Sequence, residues 1–416
     1  MKYHIREVKN EELKEYIKLG NRVYPRFAIK SEEFDKAIER MTESINKKRI
    51  ICIGAYDENE KIVGRVLIIS FLMNFRGKII KMGGIGGVGV DLPNKKQHIC
   101  NDMLKYSLEL LQNSDTYCSA LHPFRPDFYK RMGYGLLNPF YKYHIPSSRF
   151  KKNDKALDVK YLEESEAKDI SELFDEYLKN TNGEIDRQKN WAEKIFKDEK
   201  NIIVGYRKGG ELLTYALCKA VNTGEDNFMR YDLQVNEIIS VSKEGDSAIR
   251  GFFRNQTDQY ENVIMYTQDE DFYYNFDNPA DINKKLLPHA NHSFSVGSTG
   301  LMFRILDTEK FFEDYSIEKE IEGKSIICTF NIDDPFLNGK QKITLQIGKR
   351  DFKISDKKSS LEIDISIEDF SSVIFGAVSL EKLYKYNLVK CSDINLMKLC
   401  SKYLSSCEKP KYNAAF

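Results

Sequence analysis

The stretch Gly83–Leu111, GGIGGVGVDLPNKKQHICNDMLKYSLELL, is followed closely by Leu121–Gly135, LHPFRPDFYKRMGYG. In the first, a glycine-broken apolar run carries Val88, Gly89 and Val90 toward a basic turn at Lys95 and Lys96. Apolar residues then recur at Ile99, Met103, Leu104, Leu108 and Leu111, the spacing of a helix that buries one face. Strand, basic turn and helix start together make an anion site. The first N–H groups of a helix lack internal partners, and its dipole favours negative charge there. Lys95–Cys100 (KKQHIC, with Gln97, His98 and Ile99 between) is the segment that would meet the anion. In the second stretch, Phe128-Tyr129 precedes Arg131-Met132-Gly133-Tyr134, which sets a phenol just before a short apolar turn.

Working outward, 416 residues predict two to four domains. A hydrophobic share of 41% with 31% charged residues is that of ordinary globular protein, and a net charge of +1 argues against bulk attraction to nucleic acid or membrane. No apolar run is long enough to span a bilayer, and MKYHIREVKNEE lacks a signal peptide's apolar core, so a cytoplasmic location is expected. The eight cysteines are scattered without a C-x-x-C pair, and the histidines show no metal spacing, so no metal is expected.

Residues 1–150 read as mixed α/β, with helices over Glu11–Leu19 and Glu32–Ile45, strands over Ile50–Tyr56 and Ile62–Asn74, and further strands within Gly77–Val90. The charged stretch Ser147–Asp154 (SSRFKKND) reads as a linker. Residues 151–296 repeat the pattern more loosely. There the strand Asp232–Ser240 leads not to a basic turn but to Ser242-Lys243-Glu244-Gly245, whose acid repels an anion. Residues 297–416 read as an antiparallel sheet followed by helices around Phe370–Phe375, Leu380–Tyr386 and Asn395–Leu404, an α+β pattern.

The chain resembles the GCN5-related N-acetyltransferases (GNAT fold), and more specifically the enhanced-intracellular-survival (Eis-like) family. The resemblance rests on Gly83–Tyr134, on NGEIDRQKNW at Asn182–Trp191, on GLMFRILDTEKFF at Gly300–Phe312, on FSSVIFGAVSLEKLYKY at Phe370–Tyr386 and on the terminal aromatic Phe416. It implies an α/β (α+β) chain of two tandem GNAT-like domains, 1–150 and 151–296, followed by a sterol-carrier-protein-like domain, 297–416. It implies one acetyl-CoA site, in the first domain, with Val88, Gly89 and Val90 pairing the pantetheine arm and Lys95–Cys100 the pyrophosphate. It further implies Tyr129 as general acid, the Phe416 carboxylate as base, a small-molecule primary amine as acceptor, and assembly into trimers or hexamers. Tyr24, Phe27 and Phe34 fall in the segment that helps form the acceptor cleft, where they serve equally well as core, and Arg22 and Arg26 beside them disfavour a polycationic acceptor.

The chain departs from the GNAT pattern at His98, which stands where glycine usually lets backbone approach phosphate. Three readings follow: an acetyl-CoA-dependent N-acetyltransferase, a non-catalytic GNAT-like binding protein with a degraded loop, and an enzyme using a different acyl donor. Retained Tyr129 and the aromatic end favour the first.

Overall fold

The computed structural model describes residues 3–188, 190–224, 227, 229–315, 324–349, 352–405 and 408–413. The chain begins with β1 (Tyr3–Glu7), α1 (Leu13–Val23), α2 (Phe34–Asn46), β2 (Ile50–Asp57), β3 (Ile62–Phe75) and β4 (Lys78–Val90). It continues through α3 (Ile99–Gln112), β5 (Cys118–Leu121), α4 (Pro126–Lys130) and β6 (Gly135–Leu136). The middle holds β7 (Phe140–Pro146), β8 (Lys160–Tyr161), α5 (Ala167–Asn180), α6 (Trp191–Phe196), β9 (Asn201–Lys208), β10 (Glu211–Asn222) and β11 (Tyr231–Ser240). Then come α7 (Lys243–Asn255), β12 (Tyr260–Thr267), the pair β13 (Leu286–Leu287) and β14 (Asn291–His292), and β15 (Val296–Ser298). The last part runs β16 (Met302–Ile305), α8 (Thr308–Tyr315), β17 (Ile326–Asp334), β18 (Gly339–Ile347), β19 (Phe352–Ile354) and β20 (Leu361–Ser366). It closes with α9 (Ile367–Ile374), α10 (Leu380–Lys385), β21 (Lys390–Cys391) and α11 (Ile394–Leu404). Among the described residues no helix is long and apolar enough to cross a membrane, and no cluster of three or more His, Cys, Asp or Glu side chains is set to hold a metal.

Two compact units result. One contains residues 3–137 with 300–410, the other residues 138–299 with 411–413. The first unit's main sheet runs β1-β2-β3-β4-β5-β16-β6, and the second unit's runs β15-β7-β12-β11-β10-β9-β8. Each sheet therefore takes a strand from beyond its expected boundary. β7 was expected to close the first domain, but it pairs with β12 over Tyr141–Pro146 and with β15 in the second sheet. β16 was expected to open the third domain, but it lies between β5 and β6. Nor is Ser147–Asp154 a linker, because Phe150 is buried against Phe253 and Phe276 in the second core. An apolar ring cannot stay in a solvated connection when a core is within reach.

In the first unit, α3 buries its expected face against Ile53, Val63, Val66, Ile68 and Ile85. Each such large aliphatic contributes about 1.5–3 kcal/mol when removed from water. The approach is close enough to require glycine on the strand, since a Cβ at Gly83 would lie 2.4 Å from the Leu111 side chain. The remaining strands of this unit form a five-stranded sheet, β19-β18-β17-β20-β21. A buried ion pair joins its two sheets. Arg304 on β16 and Asp334 at the end of β17 are both fully buried, with Nη2 donating to the two carboxylate oxygens at 2.8 and 2.7 Å. Asp334 also accepts from Leu337 N and Asn338 Nδ2, and Arg304 Nη1 donates to the Met132 carbonyl. Arg304→Met leaves the Asp334 carboxylate buried without its counter-charge, so denaturant unfolding should show a loss of about 3–5 kcal/mol.

Candidate active site

β4 and β5 run parallel but pair only at Gly83–Ser119 and Gly84–Ala120. β4 continues to Val90 while β5 stops at Leu121. From Ile85 onward the β5-facing edge of β4 has no strand against it, and burial drops accordingly: Gly83–Ile85 are buried, whereas Gly86–Val90 are half-buried. Parted parallel strands leave backbone N–H and C=O groups available to an extended ligand. Val88, Gly89 and Val90 all lie on this open edge.

The segment after β4 ends in the conformation that glycine would adopt. Lys96 has φ +63° and His98 φ +64°, both left-handed, although neither is glycine. His98 is the N-cap of α3 and makes no side-chain capping bond. The left-handed backbone at His98 turns the chain into α3, whose first N–H groups, at Ile99 and Cys100, have no backbone partner among the described residues. Lys95, Lys96, Gln97 and His98 are exposed around this turn, and Ile99 is buried beneath it. The residue that departs from the sequence pattern thus takes a backbone conformation that glycine favours. An L-residue held there costs about 1–2 kcal/mol.

Tyr129 lies on α4 with its ring buried edge-on to Phe128 and Tyr134, and its hydroxyl has no hydrogen-bond partner among the described residues. Tyr134, by contrast, exchanges a 2.8 Å hydrogen bond with Ser119 and is fully buried. Desolvation, reinforced by Cys100, Tyr24 and Tyr134, raises the Tyr129 phenol well above its usual range, so it holds its proton. Burial likewise pushes the Cys100 thiol up to about 11, which makes it a neutral wall rather than a nucleophile.

Of the three aromatic residues expected at an acceptor cleft, Tyr24 reaches the site. It ends α1 and its hydroxyl donates to the Val88 carbonyl at 2.5 Å. Phe27 is exposed. Phe34 is buried with Ile17 and Ala37 where α2 packs on α1, so it serves the core. Arg65 on β3 was missed by sequence reading. Its guanidinium lies beside Tyr24, and a Cβ at Gly20 or Gly87 would meet it at 1.9 or 3.1 Å.

Phe416 lies outside the described residues. The chain just before it is fixed in the second unit: Tyr412 is buried and its N–H donates to Gln268, while Asn413 donates from its backbone and its amide to the two oxygens of Glu184. Burial pushes the Glu184 carboxyl up to about 7 against those donors. In the same unit α7 starts at a Ser242 cap, and Glu244 behind it accepts from Tyr206 and Lys208. That helix start carries its own anion. A surface depression of about 170 Å³ beside α5 is lined by Asp169, Glu172, Glu176 and Arg207, and no predicted site residue faces it.

Residues 4–137 match the family model of an acetyltransferase (GNAT) domain, and residues 308–411 match that of a sterol carrier protein domain. A GCN5-related N-acetyltransferase from Anabaena variabilis is similar over 100% of both chains, at 15% identity and TM-score 0.78. A probable N-acyltransferase from Enterococcus faecalis is similar over 100% of this chain and 99% of its own, at 18% identity and TM-score 0.78. Eis1 from Mycobacterium abscessus is similar over 100% of both, at 14% identity and TM-score 0.74. Residues 4–137 thus carry a GNAT-type domain and residues 308–411 a sterol-carrier-type domain, and the whole chain shares the fold of these three structures. No curated protein matches its sequence. The GNAT-type domain holds the β4 edge that β5 leaves open and the start of α3, and it includes Tyr24, Arg65, Cys100 and Tyr129.

His98→Gly removes the left-handed strain and should stabilise the protein by about 0.5–1 kcal/mol in thermal or chemical unfolding, the relief being partly offset by glycine's backbone entropy. Glu184 gives a second expectation. Its carboxyl is raised from 4.5 to about 7 on folding, so the native state binds the extra proton between those values. Stability is then greater below the unfolded pKa and falls as pH rises toward 7, by up to about 3 kcal/mol. Glu184→Gln should flatten that slope in denaturation curves taken from pH 4 to 8.

Proposed function

We propose that the protein transfers the acetyl group of acetyl-CoA to a primary amine by direct attack within a ternary complex. The observation that carries this reading is the β4 edge left unpaired beyond Gly84, leading to a helix start held in the glycine-like conformation. In this reading the pantetheine arm pairs with Val88–Val90, and the pyrophosphate meets the α3 N-terminus with Lys95, Lys96 and His98 around it. The acetyl carbonyl then lies near the Tyr129 hydroxyl.

The amine nitrogen bonds to the thioester carbon and the C–S bond breaks. The departing thiolate takes the proton of Tyr129, whose desolvated phenol stays protonated until that moment. The proton lost by the amine passes to the C-terminal carboxylate of Phe416, and the phenolate recovers its own from solvent. That tail role and assembly into trimers or hexamers come from the Eis-like resemblance, and a cytoplasmic location from the apolar pattern of the sequence.

Calorimetric titration of acetyl-CoA into untagged protein, followed by thiol release with amines, tests the proposal. Micromolar binding with amine-dependent thiol release supports it. Tyr129→Phe should lower kcat about a hundredfold or more while acetyl-CoA binds as before. Full activity in that variant removes Tyr129 from the chemistry. No binding at millimolar acetyl-CoA leaves a non-catalytic protein or another acyl donor.

A further inference from the structure

Arg65 is a cation without a counter-charge in a slot made for it. Its guanidinium sits over the Tyr16 ring at 4.1 Å, and Nη1 donates to the Tyr16 carbonyl at 3.1 Å. Nε is buried with no hydrogen-bond partner among the described residues. The other side of the slot is β4, where a Cβ on Gly87 would lie 3.1 Å from Nη2. On the α1 side, a Cβ on Gly20 would lie 1.9 Å from Nη1. Two glycines, one on α1 and one on β4, thus make the room.

The unpartnered Nε is informative. Elsewhere in this unit, Arg22 uses its Nε and Nη2 to hold the two oxygens of Asp91, and Arg125 does the same with Asp127. Arg65 turns that same Nε–Nη2 edge toward Gly87 on β4. No carboxylate of the described residues forms an ion pair with it, while Asp91 close by is already taken by Arg22. The connection Tyr24–Lys30 (YPRFAIK) adds two more cations and no acid. A half-buried guanidinium without a counter-ion is costly unless a ligand supplies one, and its planar fork fits a carboxylate. Gly87 directly precedes Val88, whose carbonyl Tyr24 caps on the open edge of β4.

We infer that Arg65 recognises a carboxylate on the acceptor, so that the substrates are amines of the amino-acid class rather than polyamines or aminoglycoside-like polycations. This rests on the acetyl-transfer reading of the same site. A carboxylate held at Arg65, beside Gly87 and Tyr24, would bring its amine toward the open edge of β4.

The test compares matched sets: lysine, lysinamide and 1,5-diaminopentane; phenylalanine, phenylalaninamide and 2-phenylethylamine; and the same sets for the other common amino acids. Thiol release is followed in wild type, Arg65→Lys and Arg65→Met, and binding of each compound to the CoA-bound proteins is followed by thermal shift. At least one amino acid should exceed both of its carboxylate-free partners in kcat/KM by about tenfold or more. Arg65→Met should collapse that ratio toward one, mainly through KM, and Arg65→Lys should restore part of it. Amides or amines that match the acids, or a preference unchanged in both variants, would overturn the inference. Arg65-dependent binding of acids without turnover keeps the carboxylate site and rejects the acetyl-transfer reading. Turnover of amines with no carboxylate preference does the reverse.

Discussion

Two residue pairs hold β4 to β5, and everything at the site follows from the pairing ending there. Parallel strands that stay in register would close the sheet and satisfy their own backbone. Here β4 outruns β5, and its last six residues keep only β3 as a strand neighbour. Gly83 and Gly64 let α3 approach the sheet without a Cβ between, which fixes where the helix start lies relative to the parted strands. The packing that stabilises the core also sets the geometry of the cleft.

The same unit is locked from a distant part of the sequence. β16 inserts between β5 and β6, and its Arg304 supports the Met132 carbonyl one side chain away from Tyr134 while pairing with Asp334 of the second sheet. Tyr129 O in turn accepts from Met132 N and Tyr134 N, so the phenol's turn is braced by a residue far along the chain. Buried ion pairs are weak sources of net stability but strict about partners. This one ties the carrier-like sheet to the turn that presents Tyr129, a structural reason for the two to occur in one chain.

The cleft sets neutral walls beside the Arg65 guanidinium and the basic turn at Lys95 and Lys96. Burial keeps Tyr24, Tyr129 and Cys100 protonated, so none competes as a base. A phenol in that state can give a proton to a thiolate, and an amine entering such a site must find its proton acceptor elsewhere. On the α1 side Arg22 is paired with Asp91, whereas Arg65 forms no ion pair among the described residues and gives the cleft a preference that neutral walls would not.

Periodicity made α3 legible, because Ile99, Met103, Leu104, Leu108 and Leu111 declare a buried face without reference to anything distant. Tyr129 and the basic turn were readable through their order along the chain. The partners of β7 and β16 were not, since alternation announces a strand but not the sheet that will take it. Lone arginines such as Arg65 and Arg304 read as surface residues on local pattern, and only the surrounding packing shows that both are drawn inward. His98 marks the boundary most sharply. Its identity argued for a lost loop, yet its backbone keeps the left-handed turn that glycine would have adopted. Side-chain chemistry and local period were set by the sequence itself. Strand partnership, backbone angle at a constrained turn and the burial of charge were decided by long-range contacts, which can outweigh a local preference of about one or two kcal/mol.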